Sequence, residues 1–396
     1  LTGLPLFNQA TTQHPASMTH LQAKKLQVFR PARQLFLQLK PASTKTSAFL
    51  LATGLSLSVL IPAYAAGTAN KTISINQKPQ LISQGGKTVE ITLVSYAVTK
   101  AAYQKIIPEF VAKWKREKGQ DVVIRESYGG SGSQTRAVID GLEADVVALA
   151  LALDTKKIEK AGLIQPGWEK EASNNSIVTH SVVALETREG NPKKIQSWSD
   201  LTKPGVKVIT ANPKTSGGAR WNFLALWGAI TKNGGSEAQA LNYVTQVFRN
   251  VPVLPKDARE SSDVFYKKGQ GDVLLNYENE IILAAQQGKT SLSYVVPQVN
   301  ISIDGPVAVV DKNVDKHGTR KVSEGFVKFL FTPEAQREFA KVGFRPVNST
   351  VIKEVQNKFP KISKLYNVQS LGGWDTIQKK FFDDGAIFDK IQSGQR

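Results

Sequence analysis

The sequence predicts an α/β protein of two lobes, each a mostly parallel sheet flanked by helices. Three observations predict it. Strand-like and helix-like patterns alternate from residue 89 to 151. The alternation restarts after residue 180, and the 331 residues that follow residue 65 exceed the usual size of one domain. A composition of 41% hydrophobic and 21% charged residues fits a soluble globular chain able to bury a sizeable core.

Residues 1 to 65 carry Lys24, Lys25, Arg30, Arg33, Lys40 and Lys45 and no acidic residue. Ala48 to Ile61, "AFLLATGLSLSVLI", is apolar but short for a bilayer, follows that basic stretch and runs into "PAYAAG". This pattern predicts a Sec-type export signal cleaved near Ala65, with residues 1–65 as signal peptide and leader. An uncleaved membrane anchor is the alternative. The single methionine, Met18, is a candidate start residue beside Leu1. Residues 66 to 87, rich in Gly, Asn, Gln and Ser, read as a flexible lead-in.

The fold is expected to begin near Val89. "VEITLVS" alternates as a strand, and "TKAAYQKIIPEFVAKWKREKG" has apolar residues at helical spacing, with Pro108 as a kink or break. "DVVIRES" (strand), "YGGSGS" (loop), "QTRAVIDGLE" (helix) and "ADVVALAL" (strand) complete a β-α-β-α-β run. In the second run, "VVALETRE", "VKVIT", "DVLLNYE", "LSYVVP" and "VAVVD" read as strands, and "ARWNFLALWGAITK" and "EAQALNYVTQVF" as helices. "FRPVN" reads as a turn after two helices, and "WDTIQKKFFDDGAIFDKI" as a closing helical region. Residues 88–180 with 303–396 are expected to form lobe 1, and 181–302 lobe 2.

The net charge of +18 falls to +12 without the first 65 residues. The remaining cations are scattered, without the basic block interleaved with aromatics, zinc-finger or RNA-recognition pattern that nucleic-acid binding uses. A general attraction for anions is the simpler reading. The absence of cysteine excludes disulfides, thiolate metal sites, cysteine nucleophiles and a lipidated N-terminal cysteine. No H-E-x-x-H motif or acidic calcium loop is present, so no metal is expected.

Two loops stand in parallel, "SYGGSGSQ" at 127–134 and "NPKTSGGAR" at 212–220. Each follows a strand, sets Ser beside Gly and opens a helix. N–H groups at a helix start lack internal partners and carry the positive end of the helix dipole, which makes them a seat for an anion. Ordinary N-capping explains either loop alone, but a matched pair in two lobes favours a ligand. Neither loop ends in the Lys-Ser/Thr of a P-loop, and neither has GxGxxG. "GGSGS" nearly matches a nucleophile elbow but has Ser133 at its last position. Its histidine base would have to be His180 or His317, which read as surface or packing histidines. Trp221, Phe223, Trp227, Phe381 and Phe382 read as core.

At these loops the sequence resembles the periplasmic sulfate-binding proteins of ABC-type importers. "LVSYAVTKAAY", "VVIRESYGGSGSQ", "GLEADVVALALA", "KPGVKVITANPKTSGGARWNFLALWG", "GDVLLNYENE" and "LGGWDTIQKKFFDDGAIFDKI" all look like family segments in family order. The resemblance implies a two-lobed type II periplasmic binding protein with its ligand in the interlobe cleft. It implies ligand contacts from Ser131, from Ser216, Gly217 and Gly218, and from the backbone N–H of Ala258. Ala97 stands where better-known relatives have an aspartate, a contact made through the amide. Tyr277 stands in place of a tryptophan, with a phenol for the indole donor. The expected function is an exported monomeric receptor that delivers sulfate or thiosulfate to a membrane permease, with no cofactor and no catalytic residue. Another tetrahedral oxyanion, phosphate or molybdate, is the alternative within the class, and a periplasmic serine hydrolase the alternative outside it.

Overall fold

A computed structural model describes residues 88–289 and 293–394. The signal and lead-in readings for residues 1–87 lie outside the described residues. In chain order the strands are β1 (Val89–Tyr96), β2 (Val122–Gly129), β3 (Val146–Ala148), β4 (Ile177–Ser181), β5 (Val183–Thr187) and β6 (Val208–Ile209). They continue with β7 (Val273–Tyr277), β8 (Tyr294–Val295), β9 (Val299–Ile301), β10 (Ile303–Val309) and β11 (Lys364–Tyr366).

Two main sheets result, ordered β2-β1-β3-β10-β4 and β6-β7-β5-β8, with β11 paired to β9 apart from them. Each has one strand running against the rest. β10 is antiparallel to both β3 and β4, and β5 to both β7 and β8. β1 begins half-exposed and becomes buried from Leu93 to Tyr96, as expected of a central strand covered by helices on both faces. The helix Lys100–Lys118 supplies part of that cover through Tyr103, Ile106, Ile107, Phe110 and Trp114.

Three sequence expectations need correction. The helix Lys100–Lys118 runs through Pro108 without a break. Pro108 and Gln104, whose carbonyl it deprives of a partner, both lie on the exposed face, where water can take up the lost bond. The loop read at 128–133 shrinks, because β2 extends through Gly129 and the next helix, Ser131–Ile139, already contains Ser131. The closing helical region is three short pieces: Gly373–Ile377, a wide π turn at Gln378–Phe382, and Ile387–Ser393.

The sequence grouping of 303–396 with 88–180 also meets a difference. β10 joins the sheet of β1, while the end of the chain meets both the helix Ala152–Lys160, through the Lys160–Asp375 ion pair, and the helix Gly217–Thr231. Phe381, Phe382 and Phe388 surround Phe223 of the helix Gly217–Thr231, with ring centroids 5.4 to 6.2 Å apart. Tyr366 Oη–H donates to Leu224 O of the same helix at 3.0 Å. That helix is buried almost all round, and the phenylalanines of the chain end supply part of its cover.

Candidate functional site

The carboxyl ends of β1, β2 and β7 and the loops after β6 converge on one small cavity. It is lined by Tyr96, Ala97, Val98, Gly129, Gly130, Ser131, Ala150, Ser216, Gly217, Gly218, Asp257, Ala258 and Tyr277. All seven residues proposed from sequence, Ala97, Ser131, Ser216, Gly217, Gly218, Ala258 and Tyr277, are therefore walls of a single space. About 10 Å³ of it is open to the centre of a water-sized body. As a sphere this is about 1.3 Å in radius, and adding a water radius of about 1.4 Å gives an envelope of roughly 2.7 Å. A compact ion fits that envelope and an organic solute does not.

Three helices point their first turns at the cavity: Ser131–Ile139, Gly217–Thr231 and Ala258–Tyr266. Their leading N–H groups have no carbonyl one turn back to bond, and the helix dipoles add positive potential. The second loop is shaped by Asn212, whose Oδ1 accepts from Lys214 N–H at 2.9 Å and whose carbonyl accepts from Ser216 N–H at 2.9 Å. Lys214 Nζ anchors it by donating to Phe382 O at 3.0 Å and Asp389 Oδ2 at 2.9 Å.

The loops nearly touch. A Cβ on Gly217 would lie 2.6 Å from Ala150 Cβ, and one on Gly130 would lie 2.7 Å from Thr215 O. Trp221 Nε1–H donates to Ala150 O at 2.8 Å, tying the second-loop helix to the end of β3. Glycine is required here for close approach, at ordinary φ.

The side-chain donors differ in state. Ser216 is the N-cap of its helix, with Oγ accepting from Ala219 N–H at 3.3 Å and its own proton uncommitted. Ser131 Oγ–H donates to Asp154 Oδ2 at 2.7 Å, and its oxygen accepts from Ala150 N–H at 3.0 Å. Tyr277 Oη is buried and has no hydrogen-bond partner. Burial above all, then the neighbouring Tyr96, Glu280 and Asp154, holds this phenol well above its usual pKa, so it keeps its proton to donate.

Sequence reasoning missed two acidic neighbours. Asp154 is wholly buried behind Ser131, with Oδ1 3.6 Å from Nη1 of buried Arg220. Asp257 lies in the wall, but its Oδ1 accepts from Glu260 N–H at 2.9 Å as a helix cap. Neither adjoins a loop serine in sequence, so no short motif marks them. The histidines do meet acids, through the fold. His180 Nδ1 is 2.7 Å from Asp304, and His317 lies 3.0 Å from Asp145 and 2.9 Å from Glu143. Neither histidine lines the cavity. Among the described residues no cluster of acidic and histidine side chains could hold a metal ion.

Two sheets joined by crossing strands, with helix N-termini converging on a small cavity, define a two-lobed solute-binding protein of the periplasmic type. The chain belongs to the family of bacterial extracellular solute-binding proteins, whose family model matches residues 91–345. It is 60% identical to the sulfate-binding protein of Synechococcus elongatus over 355 residues, 89% of this chain and 98% of that one. Identity to the sulfate-binding protein of Escherichia coli is 45%, over 77% of this chain and 93% of that one. The solved structure of the sulfate-binding protein SubI from Mycobacterium tuberculosis matches with a TM-score of 0.69 and 36% identity, covering 74% of this chain and all of that one.

Proposed function

We propose that the protein is an extracytoplasmic receptor that binds sulfate, or thiosulfate, in the cavity and delivers it to the membrane permease of an ABC importer, working as a monomer without cofactor or covalent chemistry. The observation that carries this reading is the donor set: the starts of three helices, the Ser216 hydroxyl and the buried, partnerless Tyr277 phenol all border one ion-sized space. The names of the 60% and 45% identical relatives support the choice of ion.

Sulfate at neutral pH carries no proton and can only accept hydrogen bonds, so a wall of donors satisfies it. A phosphate proton needs an acceptor. The carboxylates near the cavity are turned to other groups, Asp257 to its own helix and Asp154 to Ser131 and Arg220. Burying a dianion without an adjacent cationic side chain requires many converging donors, which this arrangement offers. A ligand gripped from both sides favours the closed arrangement by its differential affinity, and closure is the signal to the permease.

Titration calorimetry with sulfate, thiosulfate, phosphate and molybdate tests the reading. Tight sulfate binding that phosphate does not displace is expected, and phosphate binding that sulfate cannot displace overturns it. The serine hydrolase alternative has no observation in its favour, since the Ser131 hydroxyl bonds a carboxylate and an amide.

A further inference from the structure

Val182 is the single residue between β4 and β5, which belong to different sheets, and Ser302 is the single residue between β9 and β10. The helix Glu278–Gln286 starts directly after the cavity residue Tyr277 and is fastened to this crossing at three points. Glu278 N–H donates to Val182 O at 3.0 Å. Ser181 Oγ–H donates to Asn279 Oδ1 at 2.9 Å. Arg345 grips both oxygens of Glu278, Nε–H to Oε2 at 2.7 Å and Nη2–H to Oε1 at 3.1 Å.

Arg345 is itself bound to β4. Its N–H donates to His180 O at 2.8 Å, and His180 N–H donates to its carbonyl at 2.9 Å. The turn carrying it is seated on the helix by Gly343, at φ +94°, where a Cβ would lie 2.9 Å from Asn279 Cα. One arginine thus links a strand of the first sheet to the residue that follows the cavity wall in the second.

Glu278 is fully buried, and Arg345 is the cation facing it. Burial pushes this carboxyl above its usual pKa and the guanidinium pulls it back. A two-pronged guanidinium bond fixes direction as well as charge, which a single ammonium does not.

We propose that Arg345 is a positioning residue for ligand binding: its grip on Glu278 holds the Tyr277 phenol in the cavity wall and couples that wall to the Val182 crossing. This rests on the oxyanion-receptor reading above. Rotation about the crossing carries the helix and Tyr277 with it, so an ion held by the phenol biases the crossing toward closure.

Sulfate calorimetry on the wild type, Arg345→Lys, Arg345→Met, Tyr277→Phe and the Arg345→Met/Tyr277→Phe pair tests the proposal, with sulfate-free thermal unfolding measured on each. Arg345→Lys is expected to weaken sulfate binding about tenfold, although it keeps the charge. Tyr277→Phe is expected to lose several-fold less affinity when Arg345 is already Met than in the wild type, because the two act as one unit. Unchanged affinity in Arg345→Lys together with independent effects of the other two changes overturns the proposal, even if unfolding temperatures fall. Should Arg345→Met not fold, Arg345→Met with Glu278→Gln removes the stranded charge and takes its place in the cycle. Wild-type protein that binds no sulfate overturns the receptor reading itself, whereas a binding wild type with an indifferent Arg345 overturns only the coupling.

Discussion

The loops around Ser131 and Ser216 look alike in sequence and do different work. Ser216 sits before its helix as a cap, so its oxygen is occupied and its proton is free. Ser131 sits inside its helix, and its hydroxyl joins Asp154 to Ala150 N–H. One serine hydroxyl is therefore uncommitted, and the other braces the wall. The glycines differ as well, since Gly217 has no room for a Cβ, whereas one on Gly132 would meet Thr215 O at 3.4 Å, an ordinary contact.

The largest effect is expected at the glycines. Gly217→Ala drives a methyl into Ala150 and holds the loops apart, and calorimetry is expected to show sulfate affinity down about 100-fold, near the top of the ~1–3 kcal/mol range for overpacking. Gly132→Ala is expected within about threefold of wild type, and equal losses at both would erase the distinction. Ser216→Ala comes next, losing about 10- to 100-fold in affinity for a hydrogen bond of ~1.5–3 kcal/mol to a charged group. Its thermal unfolding also registers the lost cap, ~1 kcal/mol.

Ser131→Ala is expected to reverse that balance. Affinity falls less than tenfold, while stability drops by ~1–3 kcal/mol because Ala150 N–H and Asp154 Oδ2 both lose a buried partner. A larger affinity loss here than at Ser216 would make Ser131 the ligand donor instead. The smallest effect lies outside both loops, at His317, whose pKa is raised above 6.5 by hydrogen bonds to Asp145 and then Glu143. Because the folded value is the higher one, this stabilisation is complete below about pH 6.5 and is lost as pH rises through the folded value. His317→Gln is expected to flatten that part of the stability profile and leave sulfate affinity unchanged at each pH.

Much of this was legible in the sequence because the signals are local. Alternation marked β1, glycine beside serine marked both loops, and helical spacing marked the helix Lys100–Lys118. What escaped depends on distance along the chain. Asp154 reaches Ser131 across 23 positions, and His317 reaches Asp145 across 172. Pro108 misled because propensity describes a residue without its surroundings, and only the fold shows that its ring faces water. At the chain end, an aromatic cluster states that it will be buried but not against what.

The tightness of the chamber sets how cargo leaves. The space takes one small body at a time, so an ion and the water that would take over its hydrogen bonds compete for the same place. The ion's residence time is then the waiting time for the two sides to part, which every contact that spans them lengthens.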